Sequence, residues 1–319
     1  MLLNKLLLYK YINLLLRLLI GAGAILLIWY KLKDDFFDHF HSDLFHIVHY
    51  QYILMTLLLM IFNWGLEAYK WQYLMKDIEE LPFFRSFQLT ITGITLGIIT
   101  PNRIGEIPGR ILLLNNKKIF KKALFKTAIG AYSQLLVTFI FGTIATFFTI
   151  ELFGLQVNYT YVKIILLLLT SLSLLSYFYP QLIRFIFYSV PYIENKKWLD
   201  ALGGFSFKKR LNILLMSVLR YFVFSFQYFL MLKAFSISFS AFNELLLIPL
   251  CFMVTSVIPT ILISEIGVRG SVALLIFGVI TDNQLAILFA SVLLWLINVA
   301  IPAVIGLFFI KQLKILTER

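Results

Sequence analysis

A single cysteine, Cys251, occurs in 319 residues, so no internal disulfide is possible and the redox compartment cannot be read from thiol usage. Charged residues are scarce, at 14%. No polar stretch between the apolar runs is long enough for a soluble domain, the longest being about 180–210. A Walker sequence, a Gly-x-Ser-Gly motif and an Asp-rich prenyltransferase pattern are all missing. The expectation is a protein with no enzymatic activity and no cofactor. Histidine is sparse too, and all four copies (His39, His41, His46 and His49) fall together beside Asp38 and Asp43. The residue types suit zinc, but the spacing matches no regular zinc pattern, so no metal site is expected.

What is present is apolar. Hydrophobic residues make up 61% of the chain and the mean hydropathy is +0.89, which marks an all-α integral membrane protein. Runs at about 11–30, 50–69, 123–150, 160–179, 211–235 and 284–310 are each long enough for a helix across a hydrocarbon core of ~30 Å. Lys5 and Lys10 before the first run suggest a signal peptide. That run is span-length, however, and ends on Trp29-Tyr30-Lys31, an interfacial anchor, so it reads as a retained first span. The net charge of +12 does not point to nucleic acid, because the basic residues sit beside the spans, where they report topology and anionic lipid headgroups.

Positive charge sorts the loops. The N-terminus, 70–85, 115–126, 184–210 and the C-terminus are basic, whereas 151–159 and 236–240 carry almost no positive charge. The positive-inside rule then expects a multi-pass protein of the cytoplasmic membrane with both termini in the cytoplasm. Loops 70–85 and 115–126 share a side, so the segment 84–115 must enter and leave from that side. By the same logic 241–283 enters and leaves from the outside. The expected architecture is an inverted-topology repeat in one transmembrane domain spanning 1–319. Residues 1–155 form the first half with its re-entrant hairpin at 84–115, and 156–319 the second with its hairpin at 241–283. That makes six full spans and two oppositely oriented hairpins.

Each hairpin carries the same odd motif near its middle. The first reads Pro101-Asn102-Arg103-Ile104-Gly105-Glu106-Ile107-Pro108-Gly109-Arg110, and the second Pro259 through Glu265-Ile266-Gly267-Val268-Arg269. Charge inside hydrocarbon is costly, and paired helix interruptions in two inverted halves point to a transporter's binding site. Pro101 and Pro259 suit the breaks, since proline supplies no ladder donor. Asn102 belongs to the first tip's backbone, and Gly105, Gly109 and Gly267 allow positive φ or close approach. Glu106 with Arg110 and Glu265 with Arg269 stand at i, i+4, so each pair can neutralise itself on one helical face. Arg103 has no glutamate at that spacing, which leaves spare positive charge; Arg103, Arg110 and Arg269 are expected to hold a phosphate, for which the planar fork is suited, with Glu106 and Glu265 exchanging partners with them. Arg220, in the middle of the run 211–235, is a further candidate that lines the path or pairs with a glutamate. Glu67 and Lys70 read as an anchor pair at the cytoplasmic end of the second span. Ser133 and Gln134 read as interhelical hydrogen bonders. The other reading of the two Glu-x-x-x-Arg pairs is structural: staples that close the hairpins and hold no ligand.

Glu79-Glu80 followed by Arg85 is similar to the double-glutamate motif of membrane CAAX-type proteases, but the spacing is one residue too long and no intramembrane histidine follows. The chain as a whole resembles the lysylphosphatidylglycerol synthetase transmembrane-region family, also described as flippase-like. That family's Pro-Gly-Arg-x-Gly-Glu-x-x-Arg segment is matched by 101–110, with Asn102 in place of the first glycine. Its later Pro…Gly-Gly-x-Gly-Val-Arg-Glu segment is matched from Pro259 to Gly270, with Ser264 and Glu265 replacing two glycines and Gly270 the closing glutamate. The resemblance implies lipid translocation by a stand-alone member without the synthetase domain. Its expected partners are membrane lipids with an anionic headgroup, phospholipid or polyprenyl-phosphate-linked, and a glycosyltransferase or lipid-modifying enzyme. Two rivals stay open at this point: a small-solute secondary transporter, and a non-transporting scaffold for envelope or glycolipid synthesis.

Overall fold

The computed structural model describes residues 48–98, 100–114, 119–154, 158–181, 205–239, 242–260 and 262–312, together with Leu26. The expected first span and His39, His41 and His46 lie outside the described residues. Within them, all regular structure is helical. Long unbroken runs of Leu, Ile and Phe make long helices: α1 (Tyr50–Met75), α4 (Phe120–Thr149), α5 (Tyr159–Phe178) and α6 (Phe207–Ala234). Asn158 and Ser206 start α5 and α6 by accepting from the backbone N–H groups of Thr160 and Lys209.

Where the apolar runs are interrupted, the helices are short. α2 (Phe83–Ile98) stops before a single 3-10 turn at Pro101–Arg103, and α3 (Glu106–Leu112) runs back along it. In the second half a short α7 (Phe242–Leu245) precedes α8 (Leu247–Val257), which stops before Pro259, and α9 (Leu262–Phe277) packs against α8. The chain ends in α10 (Gln284–Trp295), one π-helical turn at Leu296–Ala300, and α11 (Ile301–Gln312). Five stretches among the described residues are long and apolar enough to cross a membrane: 50–75, 120–153, 159–178, 207–234 and 284–310. They coincide with five of the six runs expected from sequence.

The packing pairs corresponding parts of the two halves. α1 lies along α6, and the first arm of each broken pair packs against the closing helix of the other half: α2 on α11, α8 on α4. Glycine makes both of these cross-contacts possible, because a Cβ on Gly306 would meet the Ile91 carbonyl and one on Gly142 would meet Met253. The main apolar core sits around α6, α8, α9 and α10, with Met231, Leu232, Leu247, Phe277 and Ile287 fully enclosed.

Candidate functional site

The two chain breaks touch. The N–H of Asn102 donates to the Thr260 carbonyl at 2.9 Å, and the N–H of Thr260 donates back to Asn102 Oδ1 at 2.5 Å. The sequence motifs 101–110 and 259–269, about half a chain apart, are thus joined tip to tip. Left-handed backbone is found at Asn102 (φ 48°) and Arg103 (φ 55°), and at none of the tip glycines. Of the two roles expected of Gly105, Gly109 and Gly267, positive φ or close approach, the first therefore falls to Asn102 and Arg103. Asparagine is among the few non-glycine residues that tolerate this region, and its side chain earns the Thr260 bond there. Gly105 instead sits at the start of α3, donating its N–H to Thr100 Oγ1 at 2.8 Å. Gly109 serves close approach: a Cβ there would lie 3.0 Å from Leu96 Cβ. Gly267 is inside α9.

A cavity of about 610 Å³ opens beside the joined tips, and charged side chains crowd it. Arg269 binds Glu265 within α9 at 3.0 Å, as the i, i+4 spacing implies. The first tip differs from the sequence reading. Arg103 is not left over: its Nε lies 3.1 Å from Glu106 Oε1, at i, i+3. Arg110 reaches Glu106 only at 3.7 Å and makes its shorter contact, 2.9 Å, to Glu67 on α1.

Glu67 is what the sequence reading missed. Instead of an interfacial anchor it is a buried hub: Oε1 accepts from Arg110, while Oε2 lies 2.9 Å from Lys70 Nζ and 3.3 Å from Arg220 Nη1. Lys70 is fully enclosed and also donates to the Gly130 carbonyl and Ser217 Oγ, both at 3.3 Å. One carboxylate therefore ties α1 to α3 and α6, and its lysine neighbour ties α1 to α4 and α6. α1 runs two further turns past Glu67, which puts the pair inside the protein rather than at its rim. Burying such a group without partners would cost several kcal/mol, so a carboxylate here implies cations gathered around it.

Arg220 stacks its guanidinium over Trp64 at 4.9 Å and donates to Gln134 Oε1 at 3.4 Å. Ser133, as expected, bridges helices, its hydroxyl 2.7 Å from that of Ser217. A second cavity of about 230 Å³ adjoins the first, and Arg103, Arg220 and Arg269 line both, together with Gln134, Thr138, Thr255 and Ser256. Its far side is aromatic and amide: Trp64, Phe252 and Trp295, with Asn63 and Asn298. Asn298 sits in the π turn, where the widened helix releases a carbonyl that accepts from Trp64 Nε1 at 3.1 Å. π turns of this kind recur at functional sites.

In formal charge the large cavity carries five cations (Lys70, Arg103, Arg110, Arg220, Arg269) against three carboxylates (Glu67, Glu106, Glu265), a surplus of two positive charges. The three arginines shared with the smaller cavity keep 20%, 18% and 27% of their side chains exposed, whereas Arg110 keeps 6%. Exposed donors can meet a ligand; Arg110 is held by Glu67. Such an arrangement can receive an anion and exchange it against the internal carboxylates. No metal-binding group of three His, Cys, Asp or Glu residues exists among the described residues.

Among curated proteins, none matches the chain at a significant level. The family model described as lysylphosphatidylglycerol synthase TM region matches residues 14–306, which include both breaks and every charged group of the cavity. The chain belongs to the lysylphosphatidylglycerol synthase TM-region family.

Proposed function

We propose that this chain moves an anionic lipid across the cytoplasmic membrane, without enzymatic chemistry, by passing the headgroup between the two broken helices while the acyl chains stay in the bilayer. The observation that carries this reading is the meeting of the two tips at Asn102 and Thr260 beside a cavity with two surplus positive charges. The α2–α3 and α8–α9 units act as hairpins entering from opposite faces, in an inverted repeat of six spans with both termini in the cytoplasm. The reciprocal packing of α2 on α11 and α8 on α4 supports that symmetry.

In this mechanism Arg103, Arg220 and Arg269 take the phosphate. Glu106 and Glu265 are the competing anions that reclaim Arg103 and Arg269 as the phosphate leaves, and Glu67 holds Arg110 so that α3 keeps its place. A reconstituted assay tests the reading: purified protein in liposomes containing acyl-labelled phosphatidylglycerol, with dithionite quenching the outer leaflet. Wild type should make the inner-leaflet label accessible. Arg103→Gln and Arg269→Gln should stop it with the fold intact, and lysine at either position should restore little, since a point charge cannot reproduce the bidentate fork. Undiminished movement in the double Arg103→Gln/Arg269→Gln variant would reject the site. No movement of any anionic lipid by wild type would leave the chain as a scaffold.

A further inference from the structure

The smaller cavity says more about the ligand than the larger one does. Three arginines line it and, among the described residues, no carboxylate. An ammonium group placed there would meet no carboxylate of the lining, since Glu67, Glu106 and Glu265, which pair with these arginines, line the larger cavity instead, and the aromatic face of Trp64 is already covered by Arg220 at 4.9 Å. The polar groups that remain are neutral. Asn63 is 2% exposed, and although its Nδ2 donates to Asn298 Oδ1 at 3.1 Å, its own Oδ1 has no hydrogen-bond partner among the described residues. In the lining of the same cavity Arg103 Nη2 and Arg220 Nε are buried donors, also without a hydrogen-bond partner among the described residues. Buried polar atoms in proteins are normally paired, so an unpartnered acceptor and unpartnered guanidinium donors on residues lining one cavity mark a place where a ligand completes the set. A hydroxyl group can do both, donating to Asn63 Oδ1 and accepting from a guanidinium. An amine can only donate.

We propose that the smaller cavity is a polyol subsite, and that the lipid recognised here carries a phosphodiester with a neutral, hydroxyl-bearing headgroup. The aminoacylated, net-cationic headgroup suggested by the family's name is disfavoured. The phosphate lies at the shared arginine wall and the hydroxyls reach Asn63. This deepens the flippase reading and rests on the same site, so it is tested by binding rather than by transport.

The probes are three lipids with the full chain in nanodiscs, and affinity is read by native mass spectrometry or by ligand-dependent thermal shift. Phosphatidylglycerol offers one negative charge and hydroxyls. Phosphatidylethanol offers the same charge and no hydroxyl. Lysyl-phosphatidylglycerol offers the hydroxyl backbone with a net positive charge. Phosphatidylglycerol should bind about tenfold more tightly than phosphatidylethanol, the usual worth of pairing an orphan buried acceptor, and lysyl-phosphatidylglycerol weakest of the three. Asn63→Leu should erase the preference for phosphatidylglycerol over phosphatidylethanol while leaving phosphatidylethanol affinity unchanged. The comparison is internal to one protein, so a loss of stability does not obscure it. Glycerol 3-phosphate, the soluble source of the same chemistry, should bind far more weakly than the lipid, and equal affinity would make the ligand a soluble solute. Equal binding of phosphatidylglycerol and phosphatidylethanol would overturn the subsite. Lysyl-phosphatidylglycerol binding as well as phosphatidylglycerol would overturn the charge argument. The preference without any lipid movement would leave the subsite standing and remove the flippase reading alone.

Discussion

Replacing Glu67 by glutamine removes one charge and leaves three cations facing each other. The carboxylate lies 2.9 Å from both Lys70 and Arg110 and 3.3 Å from Arg220, with 9% of its side chain exposed. Breaking a buried ion pair by removing one partner costs about 3–5 kcal/mol, because the remaining charge stays buried and uncompensated. Glu106, 3.7 Å from Arg110, can compensate that arginine but is not a partner of Lys70. The loss should therefore fall in the stated range, a drop in melting temperature on the order of 10 °C for a chain of this size. A matched control exists. Glu151 and Lys163 also stand 2.9 Å apart, but Glu151 is 71% exposed, so Glu151→Gln should cost under ~1 kcal/mol. Thermal unfolding of both variants in one detergent measures burial at constant pair distance. Adding Arg110→Met to Glu67→Gln should recover part of the loss, since one uncompensated cation is then gone. If Glu67→Gln proved as mild as Glu151→Gln, the hub would be solvated and the reasoning wrong.

Three other outcomes follow from local geometry. Asn102→Ala loses both the left-handed tolerance and the bond to the Thr260 N–H, and should destabilise by about 1–3 kcal/mol, with Asn102→Gly costing less; thermal unfolding ranks them. Gly97→Ala puts a Cβ 2.9 Å from the Glu106 backbone nitrogen, so α2 and α3 must part, and folded yield by size-exclusion chromatography should fall sharply. Asp77, at the end of α1, accepts from Lys126 at 2.8 Å and from Lys209, and these bonds draw its carboxyl from the ordinary 3.8 down to about 2. Its contribution is present above about pH 4 and is lost as the pH falls toward 2, so Asp77→Asn should flatten the stability profile in that window. At neutral pH the change should be at most ~1 kcal/mol, since the carboxylate is half exposed.

Five of the spans and the two breaks were legible in the sequence because each is a local signal: apolar length, a proline, a charge inside an apolar run. The pairing of Glu265 with Arg269 was legible for the same reason, being one helical turn apart. Glu67 was not. Its nearest cation in sequence is Lys70, and that pair looks interfacial unless α1 is known to continue to Met75. Its other partners, Arg110 and Arg220, are brought by helices far along the chain, and only the tertiary fold unites them. The positive φ at Asn102 and Arg103 escaped for a related reason: the turn is set by hydrogen bonding to Thr260, in the other half, and not by the nearest glycine. The partner of Arg103 is hidden in the sequence because a regular helix points to i+4, whereas the bent tip brings Glu106 to it at i+3.

If the headgroup passes where the two tips meet, a reversible lock on that junction must stop it. Asn102→Cys and Thr260→Cys, in a Cys251→Ala background, put two thiols where the backbones already hydrogen-bond, so the two positions are neighbours close enough for a cross-link to be attempted. Movement of acyl-labelled phosphatidylglycerol in liposomes is then followed oxidised and reduced, with each single-cysteine variant as control. Oxidation should stop movement in the double variant alone, and reductant should restore it. Movement continuing at the reduced rate in fully cross-linked protein would contradict it.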